Sequence, residues 1–258
     1  MGALEGQTAL VTGGGSGIGR AVAVDLAGAG ATVIVCGRRR EPLDETVRAI
    51  AAAGGSAAAE TCDLTDPAAI EALAEALIAR HGVVDILVNN AGANSQVRST
   101  RHIGAEEWRQ VMDANAMGPA MLTRALLPPM IERGRGDVVL IASMAAIRPG
   151  VMAGVAYSAS KSAARAHMEV LAGEVRQHGV RCTTVFPGEV ITPILDHRAL
   201  PPDAAARATM MLPEDISAAV LMALSLPRRA MVSEVAVVAT EQRDMSADVA
   251  AAMAKTST

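Results

Sequence analysis

A doubly wound α/β fold is what this sequence predicts: a parallel sheet of about seven strands in a single domain, with helices on both faces (Rossmann-like). Two observations carry the expectation. Short apolar runs rich in β-branched residues, such as Thr8–Thr12, Thr32–Cys36, Asp137–Ala142 and Val180–Phe186, alternate with amphipathic stretches at the spacing of crossover connections. A glycine-rich turn also stands between the first apolar run and the first amphipathic one. No internal repeat or linker divides the 258 residues.

Thr8–Thr12 leads into Gly13-Gly14-Gly15-Ser16-Gly17-Ile18-Gly19, and a helical stretch runs from Arg20 to Ala29. Glycines let a backbone approach a pyrophosphate closely, while the N–H groups and positive end of the next helix hold its charge. Thr32–Cys36 reads as a second buried strand, followed directly by Gly37-Arg38-Arg39-Arg40. A carboxylate belongs here when a ribose 2′-hydroxyl is bound, whereas an arginine suits a 2′-phosphate. Arg38, with Arg39 beside it, therefore predicts NADP(H) as the preferred nucleotide, although arginines here also admit NAD(H).

A helix over about 41–53 and a strand over Ser56–Cys62 lead to Asp63-Leu64-Thr65-Asp66-Pro67, where Asp66 and Pro67 signal a helix start. Asp63 either accepts from an adenine amino group or serves a local turn. Asp85–Val88 is a strand closed by Asn89-Asn90-Ala91-Gly92; asparagines there satisfy backbone groups and Gly92 leaves room for a ligand. After a loop over Ala93–Ile103, a helical run from Ala105 carries Trp108 and then Asn115-Ala116-Met117-Gly118-Pro119. Pro119 has no N–H for the Asn115 carbonyl, so a kink is expected there. The freed carbonyl either holds a water beside Lys161 or the pair merely allows a tight helix crossing.

Asp137–Ala142 ends in Ser143, at the strand end where ligands of open α/β sheets bind. A long helix over about 157–177 precedes a strand at Val180–Phe186 and the pair Pro187-Gly188. The segment from Glu189 to about residue 212 is polar and proline-bearing, which suggests a substrate lid. A helix over Glu214–Ser225 and a strand over Glu234–Ala239 complete the alternation; from Thr240 no element is predicted.

Composition narrows the function. The net charge of −4 offers no basic field for nucleic acid or an anionic membrane. Cys36, Cys62 and Cys182 form neither a CxxC nor a Cys/His cluster, which argues against a metal site and for a reducing cytoplasm. No apolar run approaches membrane-spanning length. Aromatics are 1% of residues, so the core must be aliphatic, with 14 Met available to shape an adaptable pocket.

The chemistry centres on Tyr157-Ser158-Ala159-Ser160-Lys161. On a helix, Tyr157 and Lys161 lie side by side. Bringing a phenol near neutrality requires about 4 kcal/mol in favour of phenolate. An ammonium roughly 4 Å away at an effective dielectric of about 20 offers an attraction of that size. Such a pair can give and regain a proton at working pH.

Taken together, TGxxxGxG at Thr12 to Gly19, NNAG at Asn89 to Gly92, Asn115, Ser143, YxxxK at Tyr157 to Lys161 and PG at Pro187-Gly188 resemble, in order, the short-chain dehydrogenase/reductase family. The resemblance covers about residues 5–240. It implies Tyr157 as general acid/base, Lys161 as the residue that lowers its pKa and bonds the nicotinamide ribose, Ser143 as the group that orients the substrate oxygen, and Asn115 as holder of a relay water. It implies nucleotide contacts at Gly13, Ser16, Gly17, Ile18 and Gly19, at Arg38, Arg39, Asp63 and Leu64, and at Asn89, Ala91 and Gly92. Further contacts follow at Tyr157, Lys161, Pro187, Gly188, Val190 and Thr192. Ala142-Ser143-Met144-Ala145-Ala146 departs from the usual SSxAG, so the local pocket shape is open.

The implied activity is hydride transfer between a nicotinamide and a ketone or secondary alcohol, most simply as an NADPH-dependent carbonyl reductase. A catalytically silent nicotinamide-binding regulator is the rival reading, and a sugar-nucleotide epimerase would need a longer chain. Substrate-wall candidates Ala93, Asn94, Met144, Val151, Val190 and Leu195 are mostly small and apolar, which suggests an uncharged, bulky ketone. The resemblance also implies a homotetramer or dimer formed through helices at about 105–132 and 157–177.

Overall fold

The computed structural model describes residues 2–198 and 200–254. Its strands are β1 (Thr8–Thr12), β2 (Thr32–Gly37), β3 (Ser56–Thr61), β4 (Ile86–Asn89), β5 (Gly136–Ile141), β6 (Val180–Pro187) and β7 (Glu234–Val237). They pair in parallel in the order β3-β2-β1-β4-β5-β6-β7. The helices are α1 (Gly17–Gly28), α2 (Arg40–Ala52), α3 (Pro67–His81), α4 (Ala105–Met112), α5 (Gly118–Arg133), α6 (Val155–Val175), α7 (Ala204–Ala208), α8 (Pro213–Ser225) and α9 (Ser246–Ala254).

Strand side chains point alternately to the two faces, so a strand covered on both sides must be apolar at every position. Leu10, Ile34, Leu87, Val138, Leu140 and Phe186 face α3, α5 and α6, where they meet Leu77, Leu122, Leu126, Met168 and Leu171. Ala9, Val11, Val33, Val35, Val88, Val139 and Val185 face α1, α2 and α8, where they meet Val22, Leu26, Leu43, Ile50, Ile216 and Val220. The two layers explain the unbroken apolar runs of the sequence. Phe186, the sole phenylalanine, is fully buried among aliphatics.

Helix boundaries follow local chemistry. Asp66 accepts from the Ala68 N–H at 2.9 Å and the Ala69 N–H at 3.4 Å, and Pro67 opens α3. α1 starts at Gly17, earlier than the sequence suggests, because the last glycines of the turn already wind into the helix. The kink expected at Pro119 is instead a π-helical turn over Asp113–Met117, in which the Gly118 N–H bonds the Asp113 carbonyl. Pro119 then lies in the first turn of α5, where its missing N–H is harmless.

The amino-terminal edge of the sheet carries a buried charge cluster. Asp137 accepts from Arg181 Nε at 2.6 Å and from Arg228 Nη1 at 2.7 Å, while Arg181 also donates to the Leu224 and Leu226 carbonyls at 3.0 Å each. Removing the shared carboxylate would leave two guanidiniums uncompensated, one of them buried. Asp137→Asn is therefore expected to lower unfolding free energy by about 3–5 kcal/mol, read from urea denaturation; a change under about 1 kcal/mol would mean the cluster is solvated.

Candidate active site

Neighbouring strands β1 and β4 send their following segments to opposite faces of the sheet, so a crevice opens at their carboxyl ends. A cavity of about 640 Å³ occupies it and is lined from Gly13 through Asn90 and Ser143 to Gly188 and beyond. The ends of β1, β4, β5 and β6 thus meet at one place.

The glycine turn is held from behind. Arg20 donates to the Gly15 carbonyl through Nε at 3.1 Å and Nη2 at 2.7 Å, and the Thr46 hydroxyl donates to the Gly14 carbonyl at 2.9 Å. Those bonds, with the Gly14 N–H donating to the Cys36 carbonyl at 3.3 Å, fix the turn to β2 and α2. A Cβ on Gly19 would come within 2.3 Å of the Gly13 oxygen and 2.4 Å of Asn90 Nδ2, so no other residue fits. Ser16, Gly17 and Ile18 line the cavity, and the Ser16 side chain makes no cap bond to α1.

At the end of β4 the strand period separates the two asparagines. Asn89 Nδ2 donates to Thr123 Oγ1 of α5 at 2.9 Å; the residue is 2% exposed and lies off the cavity wall. The Asn89 side chain thus faces the α5 layer, like Leu87, and only its backbone stands at the strand end toward the crevice. Asn90 points the other way, lines the cavity, and donates to the Thr12 carbonyl at 2.9 Å. Thr12 Oγ1 accepts from the Asn90 and Ala91 N–H groups at 3.0 Å each, which joins the ends of β1 and β4. Counting the period of two through Leu87 and Val88 would have found Asn90 in the sequence.

Tyr157 and Lys161 do share one face of α6. Lys161 Nζ sits 5.8 Å from the Tyr157 ring centroid and donates to the Ile141 carbonyl at 2.9 Å. Ser143, which caps a short 3₁₀ turn at Met144–Ala146 and accepts from the Ala145 N–H at 3.1 Å, lines the same cavity as Tyr157. Burial pushes the phenol up, while Ser143 and the guanidiniums of Arg98 and Arg198 pull it down. Burial also pushes the Lys161 ammonium down to about 8. The downward pull on the phenol therefore comes first from Ser143 and then from two arginines that carry no motif.

Asn115 is fully buried in the π-helical turn. Its Oδ1 accepts from the Ala93 N–H at 2.7 Å, and its Nδ2 donates to the Ala93 carbonyl at 2.8 Å and to Ser160 Oγ at 2.9 Å. Ser160 in turn donates to the Tyr157 carbonyl at 2.9 Å. The asparagine side chain so fixes the loop after β4 to the first turns of α6. Gly92 fits between: a Cβ there would lie 2.8 Å from Asn115 Oδ1 and 3.4 Å from Lys161 Nζ.

The segment beyond Gly188 folds over the crevice. Its ends meet at a bridge between Val190 and Met211, it contains a 3₁₀ turn over Pro193–His197 and the short α7, and the Thr192 side chain packs on Gly17. Asn94, Met144, Val151, Val190, Thr192 and Leu195 all line the cavity; Ala93 does not. The carboxyl-terminal segment, for which the sequence predicts nothing, completes the wall with Gln242, Met245 and Val249. It is pinned by charge: Glu189 accepts from Arg198 at 2.6 Å and from Arg243 at 2.9 and 3.0 Å, and Arg243 also holds Asp248 at 2.8 and 3.0 Å. Against the upward push of burial, those arginines hold the Glu189 carboxyl below its usual range.

Arg38, Arg39, Asp63 and Leu64 lie outside the cavity wall. Arg38 and Arg39 are exposed at the end of β2. Asp63 Oδ1 accepts from the Thr65 N–H at 3.0 Å and hydroxyl at 2.8 Å, the local-turn alternative, and Arg38 contributes to keeping its carboxyl low. Leu64 is buried, its carbonyl packed on Gly118.

Comparison with known proteins agrees with this geometry. The short chain dehydrogenase family model matches residues 7–201. A short chain dehydrogenase of Pseudocercospora fijiensis is 40% identical over 191 residues, which cover 74% of this chain and 62% of that protein. The fatty acyl-CoA reductase of Acinetobacter baylyi is 37% identical over 199 residues, covering 74% and 65%. The matches thus span less than two thirds of either relative. A crystal structure of a metagenomic short-chain oxidoreductase in complex with NADP superposes with a TM-score of 0.81 at 35% identity, over 93% of this chain and 100% of that one. Because one continuous match carries the glycine turn, Ser143, Tyr157 and Lys161 together, their order is no coincidence of separate motifs, and the chain belongs to the short-chain dehydrogenase family.

Proposed function

We propose that this protein is an NADPH-dependent carbonyl reductase, acting on a ketone or, in reverse, on a secondary alcohol. One observation carries the reading: the hydroxyls of Ser143 and Tyr157, with Lys161 behind them, lie in the same cavity that begins at the glycine turn. A dinucleotide fits that cavity on this chain's own terms. The Gly13–Gly19 approach leaves no space for a side chain, Ser16 has an unspent hydroxyl, and the first N–H groups of α1 face a charge they can hold. Bound there, the nicotinamide supplies the hydride.

Ser143 and Tyr157 are placed to donate hydrogen bonds to a substrate carbonyl oxygen, stabilising the alkoxide as it develops. Tyr157 then hands over its proton. Lys161 is fixed by the Ile141 carbonyl, and it favours the phenolate and helps return the proton. The Asn115 to Ser160 bonds keep Tyr157 in register with the strand ends. The rim over 189–212 serves as the lid. Exposed Val170 on α6 and Met117 ahead of α5 support association of copies through those helices. The buried free thiols of Cys36, Cys62 and Cys182 suit a reducing cytoplasm. Among the described residues no helix is long and apolar enough to cross a membrane.

Exposed arginines at the end of β2 and the NADP held by a structural relative support NADP(H) over NAD(H). Tyr157→Phe is expected to lower kcat by about 10²–10⁴ while NADPH fluorescence titration gives an unchanged affinity; retained turnover would remove the assigned proton donor. Arg38→Ala should raise the KM for NADPH about tenfold or more, the loss of a charged hydrogen bond, and leave NADH nearly untouched. Equal losses with both nucleotides would end the phosphate assignment.

A further inference from the structure

Arg98 stands at the end of the loop after β4 and is 3% exposed, yet among the described residues no carboxylate lies within ion-pair distance of it. Its stem packs on Gly154, and its carbonyl accepts from the Val155 N–H at 3.1 Å. Nη1 donates to the Met152 carbonyl. Nε and Nη2 are buried and have no partner. Those two nitrogens form the side of a guanidinium whose N–H bonds run parallel, the edge that grips a carboxylate with two hydrogen bonds at once.

Arg98 lines the catalytic cavity together with Tyr157 and Met152, to whose carbonyl its guanidinium is bonded, and it also borders a neighbouring hollow that Met152 does not line. The carboxylates nearby are already committed: Glu189 and Asp248 are held by Arg243 and Arg198. The cavity wall carries Lys161 and four arginines, Arg98, Arg148, Arg198 and Arg243, against two acids, Glu189 and Glu241, with Asp248 paired to Arg243. A buried cation without a counter-ion is unfavourable, and a ligand that supplies one negative charge removes the penalty.

We infer that the free edge of Arg98 binds a carboxylate on the substrate, so that the enzyme reduces keto acids, or oxidises the corresponding hydroxy acids, in preference to neutral ketones. The parallel edge of Nε and Nη2 matches the two oxygens of a planar carboxylate. The carboxylate is a handle: no bond to it forms or breaks, and the carbonyl reduced beside Tyr157 lies elsewhere in the same molecule. This replaces the uncharged substrate that the apolar wall residues suggested. It rests on the reductase reading above.

The test compares a ladder of keto acids, with the carboxylate progressively farther from the carbonyl, against their methyl esters under saturating NADPH. For at least one chain length the wild type is expected to favour the acid in kcat/KM by roughly ten- to a hundredfold, because an ester leaves the buried donors unpaired. Arg98→Met should bring the acid-to-ester ratio of kcat/KM to about one, a ratio that any common fall in rate from losing a positive charge near Tyr157 leaves unchanged, and Arg98→Lys should restore part of the preference. Turnover of esters at rates equal to the acids along the whole ladder would overturn the inference and leave the reductase reading intact. Should no carbonyl compound turn over, the reductase reading fails by itself, and calorimetric titration of octanoate decides the anion site. Binding weakened at least about tenfold by Arg98→Met upholds it; equal binding by both proteins refutes it.

Discussion

Burial of the parallel sheet on both faces is the constraint from which the rest of the molecule follows. With α3, α5 and α6 on one side and α1, α2 and α8 on the other, no strand interior can carry a polar group without a partner. Chemistry is thereby driven to the strand ends, and the divergence of the chain after β1 and β4 opens the crevice where those ends meet. Thr12, Asn90, Ser143 and Gly188 are neighbours because their strands stop together.

Two polar frameworks keep that crevice in shape. Asn115 and Ser160 join the loop after β4 to α6 from below, inside the fold. Glu189, Arg198, Arg243 and Asp248 join the rim to the carboxyl-terminal segment from above. The first acts through neutral hydrogen bonds between buried groups, so it holds Tyr157 in one orientation. The second is a network of partly buried charges around residues with little regular structure, which suits a part that must admit and release a substrate.

Tyr157 sits under opposing electrostatic effects. Burial disfavours the phenolate and the Lys161 ammonium alike, so the phenol is held above its ordinary value while the ammonium falls to about 8. Ser143 and the guanidiniums of Arg98 and Arg198 work against the rise of the phenol. Those two guanidiniums also make the cavity beside Tyr157 more electropositive than its small apolar residues suggest.

Strand and helix identity was legible in the sequence because periodicity and glycine, proline and capping signals are local. Thr8–Thr12 and Asp66-Pro67 needed nothing beyond their neighbours in the chain. So was the meeting of Tyr157 with Lys161, which helix geometry alone dictates. The direction of the Asn89 side chain was not legible because it depends on which face of β4 meets Thr123, some thirty residues on. Arg98, Arg198, Glu189 and Arg243 carry no motif; they converge through loops whose paths the packing of the whole domain sets. The sequence by itself therefore determined the sheet, its glycine turn and the pairing of Tyr157 with Lys161, since each is encoded in short-range spacing. Only the tertiary structure decided the electrostatics of the substrate side, since a charge acts on its neighbours in space, whatever their separation along the chain.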